Sequence, residues 1–209
     1  GIQWMLKKDA PLSLSLMPSW HKYSWLLEFL ANTPNYRKNT IESARLAIQA
    51  RAAFQAMADD AGLDFDFEQR GILHFYQDKA GFEHARQVTK MLDQAGLARQ
   101  ELTGAEVQSI EPSLKGDFYG GFFTQSDSTG DIHKYSAGLA QAFQAQGGTL
   151  ALGRKVTKLK HGTQVQVSFE DGENQAFDKI VVCAGVASKH FANQLGDRVN
   201  IYPVKGYSI

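Results

Sequence analysis

The chain has 209 residues, of which 43% are hydrophobic and 21% are charged, proportions typical of a soluble globular protein with one large or two small domains. Lysine and arginine together number 22, as do aspartate and glutamate, so a formal charge of zero gives no reason to expect nucleic acid as a partner. A single cysteine, Cys183, excludes an internal disulfide framework and is typical of a reducing compartment. No apolar run approaches the roughly 20 residues that span a bilayer.

The first 38 residues are the least regular part of the chain. They hold all three tryptophans, and the segment between Pro18 and Pro34 is expected to be partly helical. Aromatic side chains on a short helix beside basic residues would suit a membrane surface or a partner subunit. Packing against the rest of the domain is the alternative, and it is favoured because aromatic side chains are buried more often than not.

From Asn39 onward the pattern predicts alternating helices and strands. Asn39 and Glu42 resemble a capping box at the start of a long amphipathic helix that ends at Gly62. The next expected elements are a strand over 71–76, a helix over 81–95, a short helix that opens at Thr103, a strand over 120–123 and a helix over 133–146. Four strands are then expected over 149–152, 155–160, 165–169 and 202–209, with a hairpin turn at Asp171-Gly172.

The run Ile180-Val181-Val182-Cys183-Ala184-Gly185 predicts a further strand, because it is apolar, rich in β-branched residues and ends abruptly. Such a strand is buried on both faces in a parallel sheet, and Cys183 would then be a small buried hydrophobe. Ligands of α/β domains bind at the carboxyl ends of strands, so a cofactor could approach the backbone at Ala184-Gly185. A core strand that simply ends in a turn is the alternative.

Five short motifs occur in a fixed order: Thr129-Gly130-Asp131, Gly147-Gly148, Val156, Ala184-Gly185 and Pro203-Val204-Lys205-Gly206-Tyr207-Ser208. In this order and spacing they resemble the flavin-dependent amine and amino-acid oxidoreductases of the D-amino-acid oxidase (DAO) family. The resemblance extends from about Tyr36 to Ile209. Its last motif is similar to that of the bacterial D-amino-acid dehydrogenase branch.

The resemblance implies a mixed α/β fold, in which a partial FAD-binding domain is interleaved with a substrate domain of mixed sheet and helices. Residues 1–124 would form the substrate or cap region, residues 125–200 the partial FAD domain, and residues 201–209 the start of a crossover strand. Implied contacts with FAD are the backbone of Val156 at the adenine end, close approach at Ala184 and Gly185, and Gly206 near the flavin.

The implied reaction is oxidative deamination of D-amino acids to 2-oxo acids and ammonia, with hydride transfer from the substrate Cα to flavin N5. The catalytic residues are unknown. Arg70 and His74 are candidates for the substrate pocket, although an exposed arginine and a core-edge histidine are the simpler interpretation. No metal is expected, because His74 and His84 lack neighbouring ligands at metal-binding spacing.

Oxygen and a membrane carrier of the respiratory chain are both open as electron acceptors. The expected location is the cytoplasm, with peripheral contact to the inner face of the cell membrane. The oligomeric state is open, and a homo-oligomer is one alternative. Sarcosine, glycine, proline or hydroxyproline would be the substrate of another oxidoreductase of the same fold. A non-catalytic binding or assembly module is the remaining alternative.

The Gly-x-Gly-x-x-Gly pattern with which this family begins is not found in these 209 residues. The chain also opens without methionine and ends within a strand-like run, so we expect it to be an internal fragment of a longer protein. We therefore expect the fragment to bind FAD weakly or not at all and to be inactive by itself.

Overall fold

The computed structural model describes residue 17 and residues 19–204. These residues form helices and two three-stranded antiparallel sheets, which confirms the predicted mixed α/β class. The elements in chain order are α1 (Trp20–Ala31), α2 (Tyr36–Asp60), β1 (Ile72–Tyr76), α3 (Lys79–Ala95), β2 (Gln100–Thr103), α4 (Gly104–Ile110), β3 (Gly120–Thr124), α5 (Ile132–Ala145), β4 (Val156–Lys160), β5 (Val165–Phe169), β6 (Asn174–Phe177) and α6 (Ser188–Leu195). Two short 3-10 helices span Thr33–Asn35 and Gly185–Ala187.

The chain divides into two compact units. Residues 34–152 form one, called here the central unit; residues 1–33 and 153–209 form the other, called here the split unit. The functional limits predicted from the sequence, 1–124, 125–200 and 201–209, stay predictions, because compactness alone does not say which part binds cofactor and which binds substrate.

The sheet of the central unit has the order β1-β3-β2. Its middle strand places Phe122, only 1% exposed, against Phe82 and Ala85 of α3. On the other face the neighbouring Gly121 allows a close approach: a Cβ there would lie 2.7 Å from a side-chain carbon of Val107 in α4. Aromatic bulk on one face and glycine on the other thus let helices pack against this short strand.

A second core of the central unit joins α2 to α5. Phe65 and Tyr135 are buried there, and the Tyr135 ring stacks on Phe54 with centroids 3.9 Å apart. The Tyr135 hydroxyl also donates a hydrogen bond to the Phe54 carbonyl at 3.2 Å. The hydrogen bond satisfies the polar end of a buried aromatic side chain, so this contact fixes α5 against the long helix.

The sheet of the split unit has the order β4-β5-β6 and contains a bulge. Val156 pairs with Phe169 and Lys158 pairs with Ser168, so Thr157 is an extra residue in β4. A bulge shifts the alternation of side chains by one residue. It therefore keeps Val156 and Leu159 on the same face, where Phe191 of α6 completes a core with Leu159.

Most elements expected from the sequence are confirmed, with four differences, of which one, the strand predicted over Ile180–Gly185, belongs to the candidate site. The long helix begins at Tyr36, one residue after its N-cap Asn35, and not at Asn39. The strand predicted over 149–152 is wrong, because those residues carry no strand pairing after α5 ends. Of the strand predicted over 202–209, residues 202–204 are not in a strand and residues 205–209 lie outside the described residues.

Candidate cofactor site

A cavity of about 680 Å³ lies in the split unit beside β4. Most of its lining is apolar, and it includes two residues that the sequence nominated for cofactor contact, Val156 and Ala184. The lining residues are Lys155, Val156, Thr157, Leu159, Ile180, Val181, Val182, Cys183, Ala184, Ala187, His190 and Phe191. Two segments that are more than 20 residues apart in sequence therefore face one space of a volume typical of a ligand site.

The backbone of Val156 faces away from the rest of its sheet. The Glu170 N–H donates to the Lys155 carbonyl at 2.9 Å, which places that carbonyl on the side of β5, and the Phe169 N–H donates to the Glu173 carbonyl, away from β4. In an antiparallel ladder the next pair, Val156 with Phe169, is then a non-hydrogen-bonded one. Because β4 is an edge strand, the N–H and C=O groups of Val156 point to its open edge, where a ligand or another strand can reach them.

At Thr157 and Leu159, one and three residues after Val156, the same edge is occupied by Gln194 of α6. Its side-chain oxygen accepts a hydrogen bond from the Leu159 N–H at 2.7 Å, and its side-chain nitrogen donates to the Thr157 carbonyl at 3.3 Å. One amide side chain thus replaces a neighbouring strand at these residues. Sequence reasoning missed Gln194, since nothing in the local pattern of a short helix indicates which strand edge it will cover.

The strand predicted over Ile180–Gly185 is wrong. Residues 180–184 carry no strand pairing; Val181 is 84% exposed, whereas Val182 is half-buried against the core of the split unit. A strand in a parallel sheet requires hydrogen-bonded neighbours, and here residues 180–184 line the cavity together with Val156 in place of pairing. Cys183 is consequently exposed, and not the buried hydrophobe that the sequence predicted.

The chain turns at Ala184-Gly185 into the 3-10 helix that precedes α6. Gly185 has φ of +54°, in the left-handed region, and a Cβ placed on it would meet no atom within 4 Å. The Ala184 N–H donates to the Ser188 hydroxyl oxygen at 3.1 Å. Ser188, the first residue of α6, thus holds the backbone of the turn, a contact that the sequence did not suggest. Gly206 lies outside the described residues.

The two substrate-pocket candidates, Arg70 and His74, both belong to the central unit. Arg70 is exposed and forms an ion pair with Glu68 at 2.8 Å. His74 lies on β1 and is largely exposed; partial loss of water around its imidazole, followed by the positive charge of Arg99, lowers its pKa, and Asp127 partly offsets this. The contacts of Arg70 fit the simpler interpretation, an exposed arginine. The assignment of Arg70 and His74 to the substrate pocket stays a prediction.

The Thr129-Gly130-Asp131 motif is held by the segment before β1. Thr129 and Glu68 exchange two backbone hydrogen bonds of 2.9 Å. A Cβ on Gly130 would lie 2.9 Å from the Phe65 ring, so glycine permits the close approach. Asp131 caps α5, and its pKa is lowered mainly by the backbone N–H of Lys134 and also by that of His133.

Residues 17–209 match the model of the DAO family, described as FAD-dependent oxidoreductases. The chain belongs to this family.

Within the described residues no group of three or more histidine, cysteine, aspartate or glutamate side chains could hold a metal ion.

Curated relatives match the chain over its whole length. A protein named D-amino acid dehydrogenase 3 from Mesorhizobium japonicum is 54% identical over 212 residues, which are 100% of this chain and 52% of that protein. A D-amino acid dehydrogenase from Paramagnetospirillum magneticum is 34% identical over 220 residues, which are 100% of this chain and 51% of the relative. The chain therefore spans about half the length of the curated relatives that it matches.

Solved structures of low sequence identity share the fold. Glycine oxidase from Geobacillus kaustophilus superimposes with a TM-score of 0.61 at 18% identity, over 74% of this chain and 41% of the oxidase. L-proline dehydrogenase from P. horikoshii gives a TM-score of 0.60 at 14% identity, over 75% of this chain and 40% of the dehydrogenase. These matches show that the chain has part of the fold of amino-acid oxidoreductases that act on different substrates.

Proposed function

We propose that the chain is part of an FAD-dependent D-amino-acid dehydrogenase. The observation that carries the proposal is the 54% identity, over the whole chain, to a protein that bears that name. The open backbone edge at Val156 beside an apolar cavity supports it, because such an edge suits a flat heteroaromatic ligand with both hydrogen-bond donors and acceptors.

In this proposal the residues of the split unit hold FAD. The N–H and C=O groups of Val156 would hold the adenine, and the apolar lining from Ile180 to Ala184 would contact it. Gly185 adds no side chain where the dinucleotide backbone passes. When bound, FAD supplies the redox chemistry by accepting hydride at flavin N5 from the Cα of a D-amino acid, whose imine then hydrolyses to a 2-oxo acid and ammonia.

The protein contributes binding and orientation in this proposal. The amino acid must be held with its amine neutral and its Cα–H directed at the cofactor, in a site that excludes water. Arg70 and His74 stay candidates for that pocket. The electron acceptor is proposed to be a carrier of the cell membrane, with the enzyme in the cytoplasm and peripheral on the inner face of that membrane.

The substrate class is tested on the full-length protein that contains this chain. Its flavin spectrum is recorded without oxygen while D-amino acids, L-amino acids, sarcosine, glycine, proline and hydroxyproline are added one at a time. Bleaching by D-alanine or other D-amino acids is expected. Bleaching by a secondary amine or glycine alone would move the protein to another branch of the family, and a protein without flavin would favour a non-catalytic module.

The cofactor site is tested by filling the cavity. Ala184→Phe in the full-length protein is expected to reduce bound FAD per protein by at least about tenfold, because the ring would occupy the space beside Val156. Ala176→Phe is the matched control, since Ala176 is exposed on β6 and does not line the cavity. Equal flavin content in the two variants would contradict the proposed site.

The 209-residue chain by itself is proposed to bind FAD weakly and to be inactive, because it lacks the Gly-x-Gly-x-x-Gly turn that holds the pyrophosphate in dinucleotide-binding domains. Absorbance near the flavin maximum after purification of this chain measures the binding. A stoichiometric yellow chromophore would contradict this part of the proposal.

A further inference from the structure

Helix α6 of the split unit carries two polar side chains on the same side. His190 and Gln194 are four residues apart, a spacing that makes side chains neighbours on a helix. The Nε2 atoms of the two side chains lie 2.7 Å apart, within hydrogen-bond distance. His190 also lines the cavity beside Val156, whereas Gln194 reaches the edge of β4. The pair therefore links this strand edge to the candidate cofactor site.

The orientation of the Gln194 amide is fixed by two backbone groups of β4. Its oxygen accepts from the Leu159 N–H at 2.7 Å, and its nitrogen donates to the Thr157 carbonyl at 3.3 Å. The opposite orientation would set the amide nitrogen against an N–H group and the amide oxygen against a carbonyl oxygen, so both contacts would be repulsive. One of the two amide protons therefore points to Thr157, and the second is left for His190.

The amide orientation decides which nitrogen of His190 carries a proton. Because the amide nitrogen donates its second proton, Nε2 of His190 is the acceptor and holds no proton of its own. A neutral imidazole keeps one N–H, which is then at Nδ1. The Gln194 amide thus favours the uncharged form of His190, since an imidazolium would place an N–H against the amide N–H.

The Nδ1–H group of His190 is free to meet a ligand. Within the described part of the chain, the contact with Gln194 is the only hydrogen bond of the His190 side chain. The imidazole also contacts the ring of buried Phe191, with centroids 5.4 Å apart, and this contact supports it beside the cavity. An uncharged donor in a mainly apolar cavity suits one acceptor atom of a heteroaromatic ligand.

The other polar side chains that line this cavity are paired within the protein or are weakly polar. The Lys155 ammonium forms an ion pair with Glu170 at 2.7 Å, and the Thr157 hydroxyl donates to the Ser168 carbonyl at 3.2 Å. Cys183 adds a thiol, which is a weak donor. Among these lining residues no unpaired positive charge faces the cavity, so the neutral adenosine part of FAD matches it better than the pyrophosphate does.

We infer that His190 donates a hydrogen bond from Nδ1 to an uncharged acceptor in the adenosine part of FAD, a ring nitrogen or a ribose oxygen. Gln194 is the positioning residue that keeps His190 in the form able to do so. This role of His190 rests on the proposed function, in which Val156 holds the adenine. It adds a side-chain donor to the backbone groups of Val156, and neither His190 nor Gln194 belongs to the family motifs seen in the sequence.

The first measurement is the protonation form of His190 in the full-length flavoprotein. With nitrogen-labelled histidine, proton–nitrogen correlation spectra distinguish Nδ1–H, Nε2–H and the imidazolium, and loss of the signal in His190→Asn assigns it. Wild type is expected to show the neutral Nδ1–H form. Gln194→Glu is expected to abolish that form, because a carboxylate accepts a proton where the amide donates one. A neutral Nε2–H form in wild type, or an unchanged spectrum in Gln194→Glu, would overturn the inference.

The second measurement is the dissociation constant of FAD, followed by flavin fluorescence as FAD is titrated into the full-length protein after its flavin has been removed. His190→Leu is expected to raise this constant about tenfold, because an acceptor of the ligand loses its donor. His190→Asn places an amide N–H near the position of Nδ1 and is expected to stay within about threefold of wild type. A side chain that only fills space would show the reverse order, since leucine is the better apolar filler.

His161→Leu is the matched control. His161 is exposed on the hairpin between β4 and β5 of the same unit and does not line the cavity. Its FAD dissociation constant is expected to stay within about twofold of wild type. An equal loss of affinity in His161→Leu, or unchanged affinity in His190→Leu, would overturn the role of His190. A wild-type protein that holds no flavin would contradict the proposed function itself, so the two failures are distinguishable.

Discussion

The two sheets of this chain have three strands each, yet they are supported differently. In the central unit, β3 lies between its two partners, and the helices that cover it come from residues close by in sequence. In the split unit, β4 is an edge strand whose partners along that edge are the side chain of Gln194 and an open cavity. The apolar residues 180–184 border this cavity, and one of them, Val181, is largely exposed.

The two sheets therefore differ in what supplies the hydrogen-bond and packing partners of their strands. The sheet of the central unit satisfies its middle strand with protein alone. Beside β4, the backbone of Val156 is open for hydrogen bonds and residues 180–184 offer an apolar surface, so a bound ligand could supply both kinds of contact.

Phe122→Ala is expected to destabilise the protein by about 3–5 kcal/mol, because it empties the centre of a packed core in which Phe122 is 1% exposed. Phe177→Ala in β6 is the matched control, expected to cost less than about 1 kcal/mol, since that side chain is 43% exposed at a sheet edge. Urea unfolding followed by circular dichroism measures both. Similar losses in the two variants would contradict the assignment of Phe122 as a core centre.

Gln194→Leu is expected to lower the free energy of unfolding by about 1–3 kcal/mol. The Leu159 N–H and the Thr157 carbonyl would both lose their hydrogen-bond partner, next to the buried side chain of Leu159. Gln194→Glu retains the acceptor and loses the donor, so its stability is expected to lie between those of wild type and Gln194→Leu. Thermal unfolding of the three proteins gives the order. A Gln194→Leu protein as stable as wild type would show that the edge of β4 does not need this amide.

The local parts of the fold were predictable from the sequence because they depend on neighbouring residues. The short helix expected to open at Thr103 is present, with a capping box between Thr103 and Glu106, and the helix expected to end at residue 95 does so, with Gly96 as its C-cap. The apolar run at 180–184 was misjudged because β-branched residues favour a strand only where a neighbouring strand supplies hydrogen bonds. The bulge at Thr157 and the amide of Gln194 depend on contacts between distant residues, which no local pattern encodes.

For the candidate site, family resemblance nominated Val156 and Ala184, and both line one cavity. Their role in cofactor binding stays a prediction. The outward direction of the Val156 backbone could not be foreseen, because it depends on the register with β5. The simpler interpretation that the sequence offered for Arg70, an exposed arginine, agrees with its ion pair to Glu68.

The smallest expected effect concerns pH and the capping box of α4. The Thr103 backbone and side chain donate to Glu106 and hold the pKa of that carboxyl below its usual value of 4.5. A lowered folded-state pKa stabilises the protein fully above the unfolded value, and this contribution is lost as the pH falls through the folded value. Glu106→Gln should therefore lower Tm at pH 7, and its Tm difference from wild type should shrink between about pH 5 and pH 3. A difference that is independent of pH would contradict this account.

The most direct test of the contrast between the two sheets is amide hydrogen exchange of the full-length protein with and without FAD. Protection is expected to rise on FAD binding at Val156 and over residues 180–185, where the backbone borders the cavity, and to stay unchanged in β3, which protein alone already satisfies. Unchanged exchange at Val156 and over residues 180–185, with FAD bound elsewhere in the protein, would contradict the proposed cofactor site.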